Sequence, residues 1–201
     1  MTHSHTISVL VGSIRTGRQG IKVANHVANQ LKQRGHKVHL IDPLEYPSLL
    51  VFQERFRFQK DPKEDLVKVQ QMLDESDGFI GVTPEYNYSY SPQIKQTMDI
   101  FFNEFKFKPM SIVGYSGGAF AGVRAIEQLK LAATALGCLP VDAYWALPTV
   151  QNQFDENGNL KEAYHQGNLD KVLRTFEWYV AALANHRKLD PSIVPKAVKE
   201  V

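Results

Sequence analysis

A three-layer α/β sandwich around one five-stranded parallel sheet, strand order 2-1-3-4-5, is the fold this sequence predicts. Three observations carry the prediction. Short apolar runs alternate with helix-period segments along the chain, the pattern of a parallel sheet covered on both faces. The length of 201 residues, with 43% hydrophobic and 22% charged side chains, suits one domain with a sizeable core rather than two. Turns rich in small and hydroxylated residues follow the first, third and fourth apolar runs, where the strands of such a sheet deliver their carboxyl ends.

The elements follow in order. The first strand is expected from Ile7 to Val11 and the first helix from about Gly20 to Gln33, with Val23, Ala24, Val27, Ala28 and Leu31 on its apolar stripe and Gly35 ending it. Val38 to Ile41 is the second strand. Asp61-Pro62-Lys63-Glu64 reads as a helix start, with a capping residue, a proline at the first helical position and a glutamate further in. Phe79 to Val82 is the third strand, and Ser91-Pro92 opens a helix carrying Ile94, Met98, Phe101, Phe102 and Phe105 on or near one face. Met110 to Val113 is the fourth strand, followed by a helix from about Ala119 to Leu136, and Leu139 to Tyr144 is the fifth. A last helix from about Leu160 to His186 buries Leu169, Val172, Leu173, Phe176, Val180 and Leu183. The domain is expected to span residues 1–187, with 188–201 a possible disordered tail interrupted by Pro191 and Pro195.

Composition narrows the function classes. A net charge of +2 offers no broad basic surface, so nucleic acid is not called for. No apolar stretch reaches the roughly 18 residues of a membrane span, and Met1 to His5 is polar without an apolar run behind it, so a cytoplasmic protein is expected. The single cysteine, Cys138, excludes an internal disulfide and reads as a small buried hydrophobe. The histidines show no metal-ligand pairing beyond His3-x-His5, and no metal is expected. The connection from Asp42 to Lys60 is unusually greasy, with Tyr46, Leu49, Leu50, Phe52, Phe56 and Phe58. It suggests a partner or a ligand rim, and a homodimer or homotetramer in which this stretch and the Phe101, Phe102, Phe105 ridge make contacts.

Right-handed crossovers bring three specialised loops to one sheet edge. In Gly12-Ser13-Ile14-Arg15-Thr16-Gly17-Arg18-Gln19-Gly20, backbone N–H groups at a helix start, the Ser13 and Thr16 hydroxyls, and Arg15 and Arg18 suit a phosphate. The spacing matches neither the P-loop nor G-x-G-x-x-G. In Thr83-Pro84-Glu85-Tyr86-Asn87-Tyr88-Ser89-Tyr90-Ser91-Pro92, rings and an amide at the switch point of the strand order suit a flat heteroaromatic ring. Gly114-Tyr115-Ser116-Gly117-Gly118-Ala119 allows close backbone approach at another helix start.

With these motifs in sequence order, and with the later turn Phe154-Asp155-Glu156-Asn157-Gly158, the chain resembles the NADPH-dependent FMN reductase family, which includes chromate, quinone and azo-dye reductases. The resemblance implies a flavodoxin-like fold, bound FMN and a nicotinamide co-substrate, NADPH or NADH. It also implies that Ser13, Arg15, Gln19, Gly20 and Ile21 hold the FMN phosphate, that Pro84, Glu85, Tyr86 and Asn87 border the ring, and that Ser116 and Gly117 complete the site. Arg18, as a second cation of the first loop, and Gly118, as the third small residue of the last, join the expected cofactor contacts. No protein residue need act as catalyst, because the chemistry resides at flavin N5. Electrons would pass by ping-pong turnover to a small acceptor such as a flavin, a quinone, an azo dye or an oxidised metal anion.

Two other readings use the same residues. A flavodoxin-type electron carrier or flavin-dependent regulatory module would share the pocket, although carriers of that kind are commonly acidic and this chain is slightly basic. Gly114-Tyr115-Ser116-Gly117-Gly118 also fits the G-x-S-x-G elbow of serine hydrolases, with Asp142 or Asp155 and His165 or His186 downstream.

Overall fold

Five strands form one all-parallel sheet in the computed structural model, which describes residues 4–193. They are β1 (Thr6–Val11), β2 (Lys37–Ile41), β3 (Gly78–Pro84), β4 (Pro109–Tyr115) and β5 (Leu139–Leu147), ordered β2-β1-β3-β4-β5 as expected. β3 and β4 are buried along their whole length because helices cover both faces, which is why their sequences are apolar runs without alternation. On one face α1 (Gly20–Gln33) and the terminal α5 (Ala163–Leu189) pack on Val9, Val11, Ile80, Val82 and Val113; on the other α2 (Glu64–Glu75), α3 (Pro92–Ile100) and α4 (Val123–Ala135) cover Leu10, Phe79, Met110 and Ile112. The predicted stripe of α1 is buried at all five positions.

Several boundaries differ from the sequence reading, each for a local reason. α2 starts at Glu64 behind an extended Lys63, so Asp61 does not cap it. α3 stops at Ile100, where Phe101 turns extended. Phe101 and Phe105 then point inward, against Phe56 and Phe79 with ring centroids 5.5 and 4.8 Å apart, and both are fully buried. They form no exposed ridge, whereas Leu50, Val51, Phe52 and Phe58 of the 42–60 connection are exposed. α4 begins at Val123 rather than Ala119, because Ala121 (φ 57°) and Gly122 (φ 81°) are left-handed. A Cβ at Gly122 would lie 2.5 Å from the Tyr115 backbone nitrogen, so glycine is required there on both counts. α5 starts at Ala163, since Leu160 bridges back to Phe154 across the Asp155 turn, and it ends at Leu189, inside the stretch expected to be tail. His3 and residues 194–201, the rest of that tail, lie outside the described residues.

β5 runs three residues past its expected end. Its pairing with β4 slips between Met110 and Ile112, which face Pro140 and Tyr144 respectively, and the Ser111 hydroxyl donates to the Ala143 carbonyl (2.7 Å) inside the irregularity. The bulge breaks the apolar pattern, and beyond it Trp145 and Leu147 re-enter the core.

Candidate active site at the carboxyl edge of the sheet

The loops after β1, β3 and β4 meet the segment after β5 around an open hollow of about 320 Å³. Ser13, Arg15, Arg18, Gln19, Pro84, Glu85, Tyr86, Ser116 and Gly117 line it, as the sequence reading anticipated, together with Thr16, Gly17, Tyr115, Val150 and Gln151. The volume is in the range of small-molecule and cofactor sites.

The first loop leaves β1 at Gly12, whose N–H donates to the Val82 carbonyl (2.8 Å) and where a Cβ would stand 2.6 Å from Ser91 Oγ. The chain turns between Arg15 and Arg18 through a left-handed Gly17 and enters α1 without a side-chain cap. The N–H groups of Ser13, Ile14, Arg15, Thr16 and Gly17 take no partner among the described residues, and the first turn of α1 adds more of the same kind. Its two arginines have different fates. Arg18 donates to both oxygens of Asp42 and to the Ser13 carbonyl (2.7 Å), and the pair is mostly buried. That carboxylate raises the Arg18 pKa above its ordinary value. Arg18 therefore shapes the loop, and its charge is already matched. Arg15 has no carboxylate partner among the described residues; its guanidinium stacks over the Tyr86 ring, 3.7 Å from the centroid. It is the unmatched cation of the hollow.

Of the remaining predicted residues, Gly20 lies at the start of α1 directly under Tyr115, where a Cβ would be 2.0 Å from the hydroxyl. Ile21 packs on the core, Asn87 is at the exposed tip of its turn, and Gly118 stands just outside the lining. These four shape the walls and do not line the hollow. Tyr115 is buried beneath the site, its hydroxyl lacks a partner, and burial drives its pKa well above the usual tyrosine value, so it remains a neutral phenol.

The second loop is a tight turn in which Tyr86 and Ser89 exchange backbone hydrogen bonds (2.8 and 3.0 Å), with Asn87 and Tyr88 both left-handed. Ser13 Oγ and the Tyr86 hydroxyl, 2.9 Å apart, join it to the first loop. In the third loop the carbonyls of Ser116, Gly117 and Gly118 are all taken by the 149–151 segment, through Val150 N (3.0 Å), Gln151 Nε2 (3.2 Å) and Thr149 N (3.2 Å). The N–H groups of Gly117 and Gly118 have no partner among the described residues. The 149–151 segment was missed from sequence because β5 was ended too early; continued to Leu147, the strand places its loop on the same edge as the others.

A hydrolase elbow does not assemble here. The Ser116 hydroxyl donates to the Gly118 carbonyl (2.9 Å), and no histidine or aspartate lines the hollow. His165 is buried at the start of α5, and His186 precedes Arg187, which bonds Asp77 at the opposite edge of the sheet. The Phe154–Gly158 turn is structural: Asp155 accepts the N–H groups of Asn157 and Asn159 (2.9 and 2.8 Å), which lower its pKa, and Phe154 packs on His26.

A parallel sheet with a phosphate-type loop at the switch point, a ring-lined turn and a hollow at the carboxyl edge define a nucleotide-cofactor enzyme of the flavodoxin-like class. Residues 5–152 match the NADPH-dependent FMN reductases, and the chain belongs to that family. It is 30% identical over 135 residues to the NAD(P)H-dependent FMN reductase ntnL of a Nectria species, covering 62% of this chain and 67% of the relative. It is 25% identical over 130 residues to the FMN-dependent NADPH-azoreductase of Staphylococcus saprophyticus, covering 64% and 69%. The fold matches FerB, a flavoenzyme NAD(P)H:(acceptor) oxidoreductase from Paracoccus denitrificans, with a TM-score of 0.72 and 21% identity over 89% of this chain and 98% of that one. The protein is thus an oxidoreductase whose family uses FMN and a reduced nicotinamide.

Proposed function

We propose that the chain holds FMN in this hollow and passes electrons from NADPH or NADH to a small acceptor, a flavin, quinone, azo dye or oxidised metal anion, in alternating half-reactions. The observation that carries the reading is the donor set. The first loop brings one guanidinium without a carboxylate partner, a run of loop N–H groups unpaired among the described residues and an uncapped helix start; beside it stand the Tyr86 ring, on which that guanidinium stacks, and Pro84, with Ser116 and Gly117 from the third loop. The first set fits a phosphate and the second a flat ring with acceptor atoms.

On this reading Arg15, Ser13, Thr16, Gln19 and the N–H groups before α1 hold the phosphate, with Gly20 and Ile21 forming the helix start behind them. Pro84, Glu85, Tyr86 and Asn87 form one border of the ring and Ser116 to Gly118 the other, their N–H groups stabilising negative charge that develops on it. Bound FMN supplies the hydride and electron-transfer chemistry. Arg18 shapes the loop from its place on Asp42. One exposed slot over the ring serves donor and acceptor in turn, which gives ping-pong kinetics. We place the enzyme in the cytoplasm as a homodimer or homotetramer, with exposed Leu50, Val51, Phe52 and Phe58 in the contact. Light scattering tests the last point, and a monomer at micromolar concentration would contradict it.

The deciding experiment is an absorption spectrum of the purified protein, mass identification of the released cofactor and a test of NADPH and NADH oxidation without a second protein. Flavin bands, FMN and rapid oxidation are expected. A colourless protein that does not take up added FMN would overturn the reading, and a yellow one that needs a protein partner would favour the electron carrier. FAD is expected to bind much more weakly, since the first loop encloses a terminal phosphate; equal titration curves for FMN and FAD would count against that loop as the phosphate site.

A further inference from the structure

The turn after β3, closed by the paired backbone hydrogen bonds of Tyr86 and Ser89, places two successive residues in the left-handed region. Asn87 and Tyr88 lie at φ 50° and 66°, a pairing that side-chain-bearing residues seldom adopt, and the Tyr88 ring is 63% exposed. On its outer side the turn is held from α4. Arg124, in the first turn of that helix, donates through Nε to Glu85 Oε1 (2.6 Å), and its Nη2 pairs ionically with the same oxygen. Its guanidinium stacks on the Tyr88 ring at 4.0 Å and on the Phe120 ring, itself 65% exposed, at 4.6 Å. One helical turn on, Gln128 accepts from the Ser89 hydroxyl (2.8 Å) and donates to the Tyr88 carbonyl (3.1 Å). Two side chains on one face of α4 thus grip the turn at Glu85, Tyr88 and Ser89. Among the described residues Glu85 Oε2 is buried without a partner, and Arg124 is the cation paired with that carboxylate.

We propose that Arg124, assisted by Gln128, is a positioning residue: it locks the 85–89 turn and the two exposed rings into the rim that donor and acceptor cross to reach the hollow. Arg124 does not line the hollow, and its charge is spent on Glu85. Its effect falls on the approach of substrate and not on the phosphate end. The role in turnover rests on the proposed FMN site, whereas the lock itself is a property of the chain.

The test uses the full chain with and without added FMN. Without FMN, Arg124→Gln is expected to lower hydrogen-exchange protection of the Tyr86 and Ser89 amides, which close the turn, by about tenfold or more, with the Lys22 and Val23 amides of α1 unchanged. With FMN bound, kcat/KM for the reduced nicotinamide should fall by about tenfold or more while the FMN Kd stays within about threefold. Arg124→Lys keeps a cation beside Glu85 but cannot stack as a plane, so it should recover only part of both losses. If Arg124→Gln misfolds because Glu85 is stranded, the double variant Glu85→Gln/Arg124→Gln removes both charges of the pair and is judged by amide protection alone, because Glu85 itself lines the hollow. Unchanged amide protection, unchanged kcat/KM, or a loss of FMN affinity as large as the loss of activity would each overturn the proposal. A parent protein that binds no FMN would instead overturn the functional reading and leave the amide result standing.

Discussion

The two edges of the sheet treat polar groups in opposite ways. At the amino edge they satisfy one another. Asp77 accepts from the Thr6 N–H (3.2 Å) and Arg187 Nη2 (3.0 Å) and meets His5 Nδ1 (3.3 Å), and the buried Lys108 ammonium donates to the carbonyls of Leu73 (2.7 Å) and Asp74 (3.1 Å) at the end of α2. At the carboxyl edge loop N–H groups, the Arg15 guanidinium and the Tyr115 hydroxyl have no such partners among the described residues. We read the groups matched within the chain as holding the fold, and the groups left over along the hollow as those that would hold the proposed FMN. The contrast recurs within one loop, where Arg18 is matched by Asp42 and Arg15, three residues away, is not.

The largest expected effect comes from breaking the matched pair at the functional edge. Asp42→Ala strands the mostly buried Arg18 guanidinium and should cost roughly 3–5 kcal/mol of stability, read as a lower midpoint in urea unfolding. A loss below about 1 kcal/mol would mean the pair is no better than a surface ion pair.

The amino edge offers a pH test. Burial lowers the Lys108 pKa from 10.5 to about 8, so between those values the unfolded chain binds the extra proton. The stability that Lys108 withholds while charged is therefore regained as pH rises through 8 toward 10, by roughly 2–3 kcal/mol. Lys108→Met should remove that rise. If the parent is flat or falls across the window, or the variant keeps the rise, the buried charge is not the cause.

Much of the architecture was legible in the sequence because apolar period and turn chemistry act locally. The alternation of strands and helices, the α1 stripe and the three loops read correctly for that reason, and the strand order followed from the doubly wound fold class they define. What did not read was decided at long range. Arg15 and Arg18 look alike in sequence, and only Asp42, arriving from the end of β2, separates them. The Phe101 and Phe105 rings look like an exposed ridge until the break after Ile100 turns them inward. Val150 and Gln151 entered the site because a bulge hid the true length of β5, and Tyr115 because its hydroxyl reaches across to the space that the missing Gly20 side chain leaves.

The smallest of these effects is the most direct test of the central claim that the leftover groups at the carboxyl edge bind a phosphate. Arg15→Ala removes a charge-assisted contact and should weaken FMN binding by roughly 1.5–3 kcal/mol, about ten- to a hundredfold, with the unfolding midpoint unchanged. Riboflavin, which lacks the phosphate, should bind parent and variant alike. An Arg15→Ala protein that binds FMN as the parent does, or that loses riboflavin as severely as FMN, would contradict the account.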